Sequence, residues 1–218
     1  ESWSLHYGVL YGDPSGNQLW DELDSLLLRS WTLPNGRNIG VSATCIDSGG
    51  HFTQAVYAFV KRTTGRKIYA IKDRGEEGRP AIPNRPSRNN IGKIPLYVLG
   101  SFALKEQVLA QLRIEEPGPG FCHFPDTRPK EFFLGLLAER IVTKYGKGYA
   151  KRSWQKTNRQ RNEPLVCRVY SLAALMILNI RNMDKLAIRM NSEEGLDGHD
   201  EKPKRRMVRP RRNFATSW

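Results

Sequence analysis

Apolar and polar positions along this chain follow periods that change several times, and the changes outline an ordered series of elements. Residues 3–11 (WSLHYGVLY) are aromatic and β-branched and run into Gly12-Asp13-Pro14-Ser15-Gly16, which predicts a strand closed by a turn. Leu19, Leu23, Leu26 and Leu27 then recur at helical spacing behind Asn17, a candidate cap, and this helix should stop before Pro34-Asn35-Gly36. Residues 39–46 (IGVSATCI) read as a buried strand ending at Asp47-Ser48-Gly49-Gly50. Phe52, Ala55, Val56, Phe59 and Val60 mark a helix over 51–63, and 67–72 (KIYAIK) is strand-like again. The Gly- and Pro-rich stretch 73–93 predicts a long loop, of the kind that is functional or mobile inside a compact domain.

The second half continues in the same alternation. A strand is expected over 94–99 and a helix over 101–113, with Leu104, Val108, Leu109 and Leu112 on one side. Pro117-Gly118-Pro119-Gly120 introduces a short extended FCHF segment, residues 132–144 read as a helix, and 145–161 as a basic loop or ribbon around Trp154. Asn162 is a candidate cap for a last helix, with Pro164 in its first turn, where a missing N–H costs nothing. That helix is apolar on nearly all sides from Leu165 to Ile180 and should therefore be buried. Strands alternating with helices argue for an α/β sheet rather than an all-α or all-β protein.

Composition adds bounds to this picture. With 218 residues, 39% hydrophobic and 10% aromatic, the chain is expected to hold one folded domain over 1–182 and a polar, flexible tail over 183–218. The longest apolar run, 169–180, is shorter than the roughly 20 residues that span a bilayer, so no membrane span is expected. No signal peptide is legible near the start. Because the first strand begins at once, elements preceding it are expected to be missing. Cys45, Cys122 and Cys167 form no CxxC pair and read as reduced core residues of a cytosolic protein.

Charge is more informative in its distribution than in its sum of +13. Residues 1–139 carry 16 basic and 15 acidic side chains, whereas 140–218 carry 19 and 7. Two acid-free runs hold most of the excess: 140–161, with eight Lys or Arg, and 202–212 (KPKRRMVRPRR), with seven. The first also contains Tyr145, Tyr149 and Trp154, the mixture of cations and aromatics expected of a nucleic-acid face, although a solvated basic ribbon would look the same.

The sharpest candidate for chemistry is Cys45-Ile46-Asp47-Ser48-Gly49-Gly50-His51. An acid at the C-terminal end of a buried strand lies where open α/β sheets place ligands, so Asp47 is a candidate metal ligand; the competing reading is a cap for the following helix. Glu163, in the first turn of the buried helix, is either a second metal-directed carboxylate or an anion favoured by the helix dipole. Lys72, Lys105 and His123 are candidates for phosphate contact, against solvated lysines and a histidine packed between aromatics. Lys151, Arg152, Trp154, Lys156, Arg159 and Arg161 are the candidate DNA contacts of the basic run. The glycines match no ATP phosphate-binding loop.

Seven segments taken together carry a resemblance: CIDSGGH at 45–51, VYAFVKR at 56–62, IYAIKD at 68–73, LYVLGSFALKE at 96–106, GPGFCHFP at 118–125, LLAER at 136–140 and RNEPLVCRVYSLAAL at 161–175. In order and spacing the chain resembles the nuclease domain of the lambda-type phage terminase large subunit, the GpA family, over about residues 1–180. The resemblance implies an RNase H-like α/β fold, a mixed sheet flanked by helices, expected here to lack its first strand. It also implies Mg²⁺- or Mn²⁺-dependent endonuclease action on concatemeric double-stranded DNA in the bacterial host cytoplasm. The family's small subunit and portal protein are the implied partners, and the family's ATPase motor is not in this chain. Asp47 matches the family's second acid. The third falls in a motif that usually reads NEALDC, where this chain has Val166; Phe102 replaces an acid in GTDTAK, and Asp73 replaces a Gly.

Since a two-metal nuclease needs several carboxylates around its ions, the chain is expected to cut DNA weakly or not at all. The rival is a non-catalytic DNA- or portal-binding remnant of the same fold. A basic α/β protein of the resolvase or integrase kind is a third reading.

Overall fold

The computed structural model describes residues 1–88, 92–146, 148–157 and 160–178. Arg159 and the tail beginning at residue 183 lie outside the described residues.

At its centre is a four-stranded sheet in the order β4 (Thr44–Asp47), β5 (Ile68–Arg74), β7 (Pro95–Gly100) and β6 (Ser87–Arg88). The first three are parallel, and β6 runs antiparallel to β7. Parallel strands need covered faces, and side-chain alternation along β5 shows how both are covered. Ile68 and Ala70 pack with Val56, Tyr57, Phe59 and Val60 of α2 (Thr53–Arg62), where α1 (Gln18–Leu27) adds Trp20, Leu23 and Leu27. Ile71 and Leu99 face the other way, onto Leu104 and Val108 of α3 (Ser101–Gln111) and Leu165, Val169 and Ala173 of α5 (Glu163–Leu178). The result is helix, sheet and helix layers with a core on each side of the sheet, a mixed α/β architecture.

Smaller pieces surround this body. β2 (Ser30–Thr32) and β3 (Asn38–Gly40) form a hairpin, and β1 (Ser2–Trp3) pairs in parallel with β8 (Cys122–His123). The short helix α4 (Lys130–Leu136) lies against α5 so closely that a Cβ on Gly135 would sit 2.6 Å from Pro164 Cγ. β9 (Glu139–Gly146) and β10 (Tyr149–Lys156) make an eight-pair antiparallel ribbon.

Four local expectations are corrected. The strand predicted over 3–11 is reduced to Ser2–Trp3, since only β8 offers it a partner among the described residues. The run 39–46 divides into β3 and β4, which belong to different sheets. The helix predicted over 132–144 is α4 followed by β9. Asn17 stands at the start of α1 with helical backbone angles and makes no side-chain cap bond.

Cys45 of β4 packs against the α3–α5 core, and burial pushes its thiol up to about 12. Only the thiolate reacts with alkylating agents. At pH 8 iodoacetamide is therefore expected to label Cys45 about a thousandfold more slowly in the folded chain than after unfolding, as read by mass spectrometry. Equal rates in the two states would contradict this packing.

Candidate carboxylate site and basic ribbon

Parallel strands end on the same side of a sheet, and two acids mark that edge here. Asp47 closes β4 opposite Ile71 of β5, so Asp73, two residues further along β5, projects from the same face. Tyr170, from the middle of α5, reaches this edge and donates its hydroxyl to Asp47 Oδ2 at 3.2 Å. Burial, then the negative charges of Asp47 and Asp73, push the Tyr170 phenol well above its ordinary value, so it remains a protonated donor at neutral pH. Asp47 Oδ1 accepts the Gly49 N–H at 2.8 Å. Between them Ser48 turns inward, almost wholly buried, with its N and Oγ both donating to Ile71 O at 2.8 Å.

These bonds decide the role of Asp47 in the backbone. It closes a local turn through Gly49 rather than capping α2, whose N-cap position is Phe52 and which has no side-chain cap bond. Glu163 is elsewhere: seven residues before Tyr170 on α5, about 10.5 Å along the axis. Its carboxyl is held below the usual range by its own backbone N–H, and also by the charge and side-chain bond of Arg161 at 3.4 Å and the charge of Lys156. The structure thus brings Asp47 together with Asp73 and Tyr170, not with Glu163. Among the described residues no group of three or more His, Cys, Asp or Glu is placed to hold a metal ion.

The basic candidates separate equally clearly. Lys72 sits between Ile71 and Asp73 and so projects from the opposite face of the sheet. Lys105 is committed to the fold: its Nζ meets Glu139 Oε2 at 2.7 Å with 12% and 4% of the two side chains exposed, and Asn162 Nδ2 donates to Glu139 Oε1 at 2.5 Å. His123 is the packed histidine, stacked on Trp3 at 4.7 Å with Phe121 edge-on and Glu1 at 3.0 Å from its Nε2.

Within the ribbon, Trp154 Nε1 donates to Phe102 O at 3.2 Å, and Arg152 binds Glu77 at 2.9 Å and also Glu106, with its guanidinium over the Phe102 ring. These two residues hold the ribbon to α3 and to the segment after β5. Lys151 and Lys156 are exposed, as are Tyr145 and Tyr149, and Arg161 lies at the surface beside Glu163.

In the sequence Asp73 stands out only as a departure from a motif, and nothing local marks Tyr170 or Glu139. Their placement depends on strand register and on packing between segments distant in sequence. The one local signal was an acid two residues beyond the last buried position of a parallel strand.

Comparison with known proteins gives the chain a family. The family described as terminase large subunit gpA, endonuclease domain, matches residues 1–186. The terminase large subunit of Escherichia phage lambda is 31% identical over 206 residues, covering 89% of this chain and 32% of that protein. That of Enterobacteria phage P21 is 28% identical over 195 residues, 85% of this chain and 30% of that protein. The chain therefore spans about a third of the length of the curated relatives it matches. No solved structure matches it significantly. With 186 of its 218 residues matched, the chain belongs to the family of terminase large subunit gpA endonuclease domains.

Proposed function

We propose that this chain is the DNA-cleaving domain of a phage DNA-packaging terminase large subunit, of RNase H-like fold, acting on concatemeric double-stranded DNA. In isolation it cuts weakly or not at all. The observation that carries both halves of this reading is the carboxylate edge. Asp47 and Asp73 share one face at the end of a parallel sheet where such folds bind ligands, next to a basic ribbon, and among the described residues no third acid completes a metal-holding group. A two-ion centre holds its ions about 3.5–4 Å apart with several carboxylates, and the donor set here does not fit that requirement. The family's ions, Mg²⁺ or Mn²⁺, and its partners, the small subunit and the portal protein in the host cytoplasm, are part of the proposal for the whole protein.

Supercoiled-plasmid nicking tests this. With Mg²⁺ or Mn²⁺ the chain should give little nicked product, and Asp47→Ala should be indistinguishable from it. Robust nicking abolished by Asp47→Ala would overturn the claim of impairment. Val166 favours a second reading, a non-catalytic DNA- or portal-binding module. It lies one turn before Tyr170 on the same helix face, where an acid would join the edge. Cleavage recovered in Val166→Asp supports the nuclease reading; continued inactivity with DNA binding retained supports the module.

A further inference from the structure

We propose that the β9–β10 ribbon is the duplex-DNA contact of this domain, its outward face set against backbone phosphates and its tip entering a groove. The inference rests on the reading of the chain as a DNA-acting domain and assigns the surface that does the binding. Residues directly opposite one another in an antiparallel ribbon share a face. Glu139, Ile141 and Thr143 therefore share one with Lys156, Trp154 and Arg152. This inward face is spent on the fold, through Glu139 to Lys105, Trp154 to the Phe102 carbonyl, and Arg152 to Glu77 and Glu106. A ribbon anchored at three points is pre-organised, so little order remains to be imposed when it meets a partner.

The outward face is left with Arg140, Lys144 and Lys151, and residues 140–156 contain no acid. Lys144 and Lys151 are direct cross-strand partners. Like charges at opposed positions destabilise a hairpin. Glu76, near enough to feel the Lys151 charge, is already paired with Arg79, and among the described residues neither lysine makes a salt bridge, so a polyanion would relieve the repulsion. At the tip, Tyr145 and Tyr149 flank a turn whose Gly148 has φ +81°, and they are 84% and 80% exposed. A tip selected only for folding has no reason to hold two rings in water. Large rings with a hydroxyl suit contact with sugars and base edges.

Position and size agree with this assignment. Arg152 bonds Glu77, three residues beyond the end of β5, so the ribbon stands beside the edge that carries Asp47 and Asp73. A two-stranded ribbon is one of the elements that the major groove, about 12 Å wide, admits.

The test is fluorescence anisotropy of the full 218-residue chain with a labelled 30-bp duplex and with the matching single strand, in EDTA, across a salt series. Lys144→Gln/Lys151→Gln is expected to bind the duplex about tenfold more weakly near 0.1 M salt, with a log K against log [salt] slope shallower by about 1.8. Tyr145→Ala/Tyr149→Ala should weaken duplex binding about fivefold with the slope unchanged. Lys61→Gln/Lys67→Gln removes the same charge from the exposed end of α2 and the adjoining turn and should change affinity less than twofold. The proposal fails if the ribbon variant binds no more weakly than this control, or if the parent chain does not bind duplex at all. Groove entry fails if the tyrosine variant loses single-strand binding while keeping duplex binding. Because EDTA removes any cleavage, an inactive nuclease leaves these outcomes unaffected, and the two proposals fail separately.

Discussion

Lys105→Met is expected to destabilise the domain by about 3–5 kcal/mol, because it strands the Glu139 carboxylate in a nearly closed site with Asn162 as its one remaining side-chain partner among the described residues. Removing one member of a buried pair costs far more than the pair contributes, since the remaining charge keeps its desolvation penalty without compensation. At about 2–4 °C per kcal/mol for a domain of this size, the melting temperature should fall by roughly 6–20 °C. The double substitution Lys105→Met/Glu139→Leu is the informative partner. With both charges gone, much of the loss should be recovered, and the urea midpoints of the four proteins give the coupling directly. A change below about 1 kcal/mol in the single variant would mean that Glu139 is solvated and that the lysine is free for another role. The result bears on function as well. Lys105 lies in a segment that resembles a family motif, yet its ammonium is occupied, so loss of DNA binding in Lys105→Met should follow loss of fold.

Leu165→Ala should cost about 2–5 kcal/mol, the second large effect. Leu165 is fully buried where α5 meets α3 and the sheet, and truncating it removes transfer energy and leaves a cavity that close-packed neighbours fill only in part. The same helix carries Tyr170 to the carboxylate edge. Loosening its first turns should therefore also relax the Tyr170–Asp47 hydrogen bond, an effect visible as earlier titration of the phenol in a spectrophotometric pH series. Stability within about 1 kcal/mol of the parent would show that α5 is not seated on the core in the way described. Val166→Asp, one position along, separates the two readings of this helix because it alters the edge and leaves Leu165 in place.

Particular elements show how far local pattern reaches. Residues 51–63, 67–72, 94–99 and 101–113 were legible because each buries a face whose period, 3.6 or 2, is written in consecutive residues. All four are found, as α2, β5, β7 and α3, within one or two residues at most ends. The expected helix over 132–144 failed halfway. Phe132 and Leu136 do recur at helical spacing and are buried in α4, but Glu139 to Thr143 become a strand because β10 supplies partners from Lys156 back to Arg152. Pairing of that kind leaves no periodic trace in the segment itself. The same reason reduced the first predicted strand to two residues.

The site divides along a similar line. Asp47 could be singled out from sequence because a buried strand, an acid and two glycines are contiguous. Its neighbours Asp73 and Tyr170 are 26 and 123 positions away, and only the register of β4 on β5 and the rotation of α5 bring them together. Charge behaves alike. Eight cations without an acid in 140–161 are visible in the sequence, but which of them face solvent is set by the alternation of a paired ribbon. That alternation turns Arg152 and Trp154 inward and leaves Lys144 and Lys151 outside.

By itself, then, the sequence determined the α/β class, the family, the acid at the end of β4 and the place of the basic excess. Each of these is a property of composition or of contiguous residues. Tertiary structure alone decided which acid joins Asp47, which lysine is consumed in a buried pair and which face of the ribbon meets solvent. Those outcomes depend on strand register and on burial energies between distant segments, and no local stretch of the chain carries that information.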